Sequence, residues 1–352
     1  MANIAEIDKN FKIESGIQKD DVKFHNPMEK PFKIYGLMHD GTMFRRMPEE
    51  IAKTINLGVF ELHGCCSGGR IRFKTDSPYI AIVAEMGMMG KMPHFPFTGS
   101  IGFDVYVREN GKERYVNTFK PAVDITERLC GVVEMDTQGM QEITINFPPY
   151  SEVKEVFVGL KEGSAIEEHP LYKTETPVVY YGSSITQGGC TSRPGNAYYS
   201  IISREFDCNY LNLGFSGNAL GEDSMADYIK ELDMKLFVYD YDHNAPDVEH
   251  LKNTHERMFK RIREKHPDLP VIMLTRPNFV RSDDDVERMK VVKATYENAL
   301  AAGDKNVYFI DGKDLVAEAG NEGTVDNCHP NDLGFYMMAK SISKLIKENN
   351  LL

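Results

Sequence analysis

The stretch PVVYYGSSITQG (residues 177–188) decides how this chain folds. Its first six residues form an unbroken apolar run that ends in Gly182. A run with no polar alternation suits a parallel strand covered on both faces. The run gives way to a turn in which glycines flank two serines, Ser183 and Ser184, so that a hydroxyl can stand at a sheet edge. Such a Gly-Ser cluster is also ordinary loop material, and its meaning depends on its neighbours.

Working toward the C-terminus, helical and strand patterns alternate. Helices are expected near 196–206, 223–232, 246–265, 284–302 and 332–349, and strands at 209–215, 235–241, 270–275 and 306–311. The last helix carries Phe335, Met338, Ala339, Ile342, Leu345 and Ile346 at i, i+3, i+4 spacing. Strands separated by helices predict a doubly wound parallel sheet in a three-layer α/β sandwich over 174–352. Ligands of such sheets sit beyond the carboxyl ends of the strands.

Working toward the N-terminus, the period changes to two. In GRIRFKTDS (69–77), Ile71, Phe73 and Thr75 read as inward-facing, with Arg70, Arg72 and Lys74 facing water. Tyr79–Ala84, Phe103–Arg108, Ile143–Phe147 and Val156–Leu160 alternate similarly; in the second of these, Phe103, Val105 and Val107 alternate with Asp104, Tyr106 and Arg108. Short alternating strands broken by turn residues predict an antiparallel, jelly-roll-like β-sandwich over 1–173, with one short helix near Pro48–Ile55.

Composition narrows the function. The chain has 352 residues, 41% hydrophobic and 27% charged, an ordinary globular balance that spans two domains. A net charge of −12 argues against nucleic-acid and anionic-membrane partners, which need a basic face. No apolar run reaches 18 residues, and MANIAEIDKNFKIESG lacks the pattern of a signal peptide. The six cysteines match no zinc spacing and read as free thiols. A cytoplasmic protein is the expectation.

Polar residues gather at four of the predicted strand ends. Beyond Ser184, the loop NLGFSGN (212–218) offers small residues whose N–H groups can point into a cleft, as an oxyanion site requires. A simple strand-end turn explains the same glycines. The third strand runs into DYDHNAP (240–246), where Asn244 can donate a side-chain N–H, or Asn244 or Asp247 can cap the next helix. Before the last helix comes DNCHPND (326–332), in which Asp326 can accept the Nδ1–H of His329 and leave Nε2 as a base. Nucleophile, donors and an acid–base pair together are the composition of acyl transfer.

The ordered blocks GSSITQG, Gly217, Asn244 and Asp326-x-x-His329 resemble the SGNH (GDSL-type) hydrolases over roughly residues 174–352. The resemblance implies a flavodoxin-like catalytic domain with Ser184 as nucleophile, His329 as general base and Asp326 orienting it. It further implies an oxyanion hole from Gly217 and Asn244 alongside the Ser184 N–H, with no metal or organic cofactor. Two departures are visible. Ser183 stands where the family has an Asp, and Tyr-Asp-His-Asn stands for Gly-x-Asn-Asp, which leaves His243 as a competitor of Asn244. The leading β-sandwich is similar to two-domain carbohydrate esterases. That likeness implies two-step hydrolysis of a short acyl ester, acetyl above all, on a small molecule or oligosaccharide. Arg193 and Asn196 can contact the alcohol side or merely order their loop. The competing readings are a lipase or thioesterase, for which no apolar lid segment is apparent, and a non-catalytic glycan-binding protein on a degenerate hydrolase fold. The chain has no Trp for sugar stacking, although 17 Tyr and 19 Phe can serve.

Overall fold

The computed structural model describes residues 17–136 and 139–352; the stretch 1–16, read above as lacking a signal peptide, lies outside them. The second half is a five-stranded parallel sheet made by Thr174–Gly182, Cys208–Gly214, Leu236–Asp240, Val271–Leu274 and Val307–Ile310. Counted along the chain, the strands lie in the order 2-1-3-4-5. The reversal of direction beside Thr174–Gly182 creates the crevice in which such sheets hold ligands. Ser184 follows that strand directly.

Both faces of the sheet are covered, as the continuous apolar run requires. On one face Val179, Tyr181, Phe237 and Tyr239 pack under the helices Asp223–Lys230, Val248–Lys265 and Asp283–Ala301. On the other, Val178, Tyr180, Val238 and Ile272 meet Tyr198–Phe206 and Asp332–Asn349, whose Phe335, Met338, Ala339, Ile342 and Ile346 are buried. Each such apolar side chain contributes about 1.5–3 kcal/mol on burial. The last helix spans the residues its periodicity marks, with Asn331 Oδ1 accepting the Gly334 N–H as its cap at 3.1 Å.

The first half is a sandwich of two antiparallel sheets. One has the order Val22–His25, Ser151–Lys161, Tyr79–Met89, Arg128–Glu134. The other runs Ile166–Glu167, Arg70–Thr75, Gln141–Asn146, Phe103–Glu109, Lys112–Phe119, with Lys33–Tyr35 paired to Arg70–Thr75. Ile71, Phe73, Val105, Val107, Ile143 and Ile145 fill the space between the sheets.

The opposite face of the second sheet corrects the alternation reading. Arg70 and Arg72 do not face water; they are 2% and 0% exposed. Arg70 lies 3.7 Å over the Tyr210 ring, donates to Tyr172 Oη at 3.0 Å and to Asn209 Oδ1 at 2.7 Å. Arg72 stacks 3.8 Å over Tyr172. Asp104 and Tyr106, on the neighbouring strand, are buried in the same seam. The polar face of the sandwich is therefore the face that docks on the α/β half. A further crossing comes from the helices Glu49–Ile55 and Leu57–Leu62, the second of which the sequence did not suggest. Their Ala52 and Val59 enter the core around Ala219, Met225 and Ala226.

Candidate active site

Ser184 opens a one-turn helix, Ser184–Gln187, directly after the strand that ends at Gly182. Ser183 caps it, its Oγ accepting the Ile185 N–H at 3.2 Å. Two glycines make this turn possible. A Cβ on Gly182 would stand 1.8 Å from Asp240 Oδ1, and one on Gly214 would stand 2.2 Å from the Gln187 nitrogen.

Beneath the turn, Asp240 is wholly buried at the end of the third strand. It accepts from Thr186 Oγ1 at 2.6 Å, and the Ser183 N–H reaches its carbonyl at 3.2 Å. Burial pushes the Asp240 carboxyl up to about 8, against the hydrogen bond from Thr186. The Asp240 side chain and carbonyl thus anchor the serine turn through Thr186 and Ser183. The polar run 240–246 hinted at this position, but no spacing tied Asp240 to Thr186.

The histidine arrives from the loop before the last helix. Ser184 Oγ lies 3.0 Å from His329 Nε2, and His329 Nδ1 lies 2.7 Å from Asp326 Oδ2. Asp326 Oδ1 also accepts the backbone N–H groups of His329 at 2.7 Å and Cys328 at 3.1 Å. Burial opposes ionisation of Asp326, yet these bonds and the imidazole hold its carboxyl below the usual range. An ionised Asp326 fixes the tautomer in which Nε2 accepts the serine proton.

Gly217 has φ +69°, and open space surrounds its Cα where a Cβ would stand. Neither its N–H nor that of Ser184 meets a protein acceptor among the described residues. Asn244 Nδ2 donates to the Phe215 carbonyl at 2.9 Å, tying the third-strand loop to the Gly217 loop and leaving a second amide N–H. Asp247, not Asn244, caps the helix Val248–Lys265, accepting the His250 N–H at 2.7 Å. His243 is engaged elsewhere: its Nε2 meets Arg276, and its Nδ1 lies 3.9 Å from Asp285. Burial and Arg276 push the His243 imidazole down to about 4. Arg288 clamps the loop, donating to the carbonyls of Asp242 at 2.7 Å and Ala245 at 2.8 Å.

Arg193 and Asn196 both make bonds that order their loop. Arg193 meets Asp104 Oδ2 at 3.3 Å, bonds Tyr106 Oη and stacks 3.8 Å over Tyr115, all on the sandwich. Asn196 Nδ2 donates to Asp332 Oδ2 at 2.8 Å and Ser192 Oγ at 3.2 Å, joining its loop to the last helix. Both are occupied with ordering the loop and the domain seam.

The sandwich also builds part of the site wall, which the sequence did not disclose. Tyr150 Oη donates to the Ser184 carbonyl at 3.1 Å, and Gln187 Nε2 donates to the Pro149 carbonyl at 3.2 Å. His94 and Phe95 bring their rings to 5.6 Å and 6.3 Å from that of His329. Arg46, fully buried, donates to the Gly214 carbonyl and to Leu62 O at 2.6 Å while lying 4.6 Å over Phe215. It thereby braces the loop that carries Gly217.

Known proteins resemble this chain in both halves. Residues 175–347 match the sequence model of the GDSL-like Lipase/Acylhydrolase family, and residues 22–166 match that of the N-terminus of SGNH-hydrolase-type esterases. A solved structure described as a GDSL-like lipase from Bacteroides ovatus is 26% identical, covers 93% of this chain and 97% of its own, and superposes with a TM-score of 0.83. The salicylyl-acyltransferase SsfX3 of a tetracycline biosynthetic pathway is 21% identical over 95% of this chain and 99% of its own, with a TM-score of 0.77. A family two carbohydrate esterase from Clostridium thermocellum, in complex with cellohexaose, is 14% identical over 82% and 95%, with a TM-score of 0.60. No curated protein matches the chain by sequence.

Proposed function

We propose that the chain, whose residues 175–347 match the GDSL-like lipase/acylhydrolase family and residues 22–166 the N-terminal module of SGNH-type esterases, is a serine esterase removing short acyl groups, acetyl foremost, from a carbohydrate. One observation carries the reading: an unbroken relay from Ser184 Oγ through His329 to Asp326, at 3.0 and 2.7 Å, on the ligand-binding edge of the sheet.

In this mechanism His329 Nε2 takes the Ser184 proton as Oγ attacks the acyl carbonyl. The oxyanion is met by the N–H groups of Ser184 and Gly217 and by the free amide N–H of Asn244. His329 then protonates the leaving alcohol, and a water repeats the sequence on the acyl-enzyme. Asn244 is preferred over His243 because its amide is already tied to the Phe215 carbonyl at 2.9 Å, whereas His243 is turned to Arg276. Tight packing beside the nucleophile supports a short acyl group. Around Gly189, an added Cβ would stand 3.0 Å from Tyr150 Oη, 3.1 Å from Ser184 O and 3.3 Å from Phe95 Cζ. The carbohydrate part of the proposal draws on the shared two-domain build with the carbohydrate esterases. A reducing, cytoplasmic setting belongs to the same reading and is supported by six free thiols.

An ester panel from acetylated sugars to long-chain esters tests this. Acetyl esters should turn over fastest, and Ser184→Ala should lower kcat by about 10⁴–10⁶-fold. Preference for long chains would move the protein to the lipases. Sugar binding without Ser184-dependent turnover would make it a binding protein.

A further inference from the structure

Three side chains that approach one another beside the nucleophile have no common part in ester hydrolysis. His94 comes from the loop between the strand Tyr79–Met89 and the helix Phe97–Ser100 of the sandwich. Cys190 lies just past the nucleophile turn, and His329 precedes the last helix. One ligand atom from each lies within 4.8 Å of the other two. We propose that His94, Cys190 and His329 form a reversible inhibitory site for a zinc-class divalent cation.

The donor set selects the ion. A thiolate with two imidazoles is a soft, nitrogen–sulfur set that suits Zn²⁺ and its neighbours, whereas Mg²⁺ and Ca²⁺ ask for oxygen. Tetrahedral Zn–N and Zn–S bonds of roughly 2.0–2.3 Å place ligand atoms about 3.3–3.8 Å apart, so closure asks each side chain to move by about 1 Å or less. The fourth position falls to water. His329 is already prepared as a ligand. Asp326 holds its Nδ1 at 2.7 Å, the carboxylate–histidine arrangement that orients imidazoles toward zinc.

Cys190 gives a second, independent sign. Its φ is +69°, a region that non-glycine residues enter at a cost and that clusters at functional sites. The buried thiol makes no hydrogen bond among the described residues and shares its pocket with Phe95, Tyr150 and Met92. A bound dication would offset the charge of a coordinating thiolate together with that of the nearby Asp326 carboxylate.

On binding, the Cys190 proton leaves to solvent, and the cation accepts one electron pair from sulfur and one from His329 Nε2. That nitrogen can then no longer accept the Ser184 proton, and hydrolysis stops. The inhibition rests on His329 being the general base, as proposed above; the binding does not.

Co²⁺, a spectroscopic stand-in for Zn²⁺, tests the site on the full chain. Wild type should develop a thiolate-to-cobalt charge-transfer band, displaced by Zn²⁺, and so should Cys328→Ser. Cys190→Ser and Cys190→Ala, checked for native circular dichroism, should lack it. His94→Ala should bind at least about tenfold more weakly, since losing even an outer-shell partner costs that much. In parallel, Zn²⁺ should suppress hydrolysis by wild type, reversibly with EDTA, and spare Cys190→Ser. A band that survives in Cys190→Ser, or none in folded wild type, overturns the site whatever Zn²⁺ does to turnover. A cobalt band in a protein that hydrolyses no ester would instead leave the site standing and refute the esterase reading.

Discussion

The two halves of the molecule treat their polar residues in opposite ways. In the α/β half, polar groups collect past strand ends, at Ser184, Gly217, Asn244 and Asp326/His329. In the sandwich, Arg70, Arg72, Asp104 and Tyr106 alternate along strands and look like a solvated face, yet all are buried against the neighbouring half. Period-two alternation reports that two sheet faces differ in polarity. It does not report that the polar face is wet. The sandwich is consequently a wall of the site, bracing Ser184 through Tyr150 and the Gly217 loop through Arg46.

That contrast makes the two halves separable by mutation. Beyond the relay residues themselves, the largest effect is expected at Asn244, the proposed oxyanion donor of the α/β half. Asn244→Ala should lower kcat by about 10²–10³-fold, near 3–4 kcal/mol of barrier, with KM little changed. His243→Ala, at equal folded fraction, should leave turnover nearly intact; the reverse result would shift the donor by one residue and spare the Ser184/His329/Asp326 assignment.

A seam residue should behave differently. Arg193→Ala strips the fully buried Asp104 of its cation, and should cost about 2–3 kcal/mol of stability, read as a lower Tm. KM for an acetylated sugar should stay within about twofold, because uniform binding contacts are what KM reports. A large rise in KM with unchanged Tm would return Arg193 to the substrate.

The smallest effect belongs to the loop tie. Asn196→Ala removes a bond to the Asp332 carboxylate, 2.8 Å long, and should cost about 1 kcal/mol without altering kcat. An Asn196→Ala variant with native Tm and lowered kcat/KM would give this residue a role at the alcohol side.

Much of the α/β half was legible because its signals are local. PVVYYG is one uninterrupted strand, Asp326 and His329 lie within one turn of chain, and the last helix repeats its apolar stripe. The rest depends on contacts between distant residues. His94, Phe95 and Tyr150 reach the site only because the sandwich docks where it does, and no periodicity encodes docking. Asp240 belongs to a visibly polar run, but its purpose emerges only when Thr186, 54 positions earlier, folds over it. Arg46 sits in an unpatterned stretch, and its partners Leu62 and Gly214 are 16 and 168 residues away.

The proposed hydrolysis depends above all on Ser184 acting as a nucleophile activated by His329. A fluorophosphonate probe, followed by peptide mass spectrometry, tests it most directly. A single label should appear on Ser184 and be lost in folded His329→Ala. A label on Ser183, or an active protein that takes no label, would contradict it.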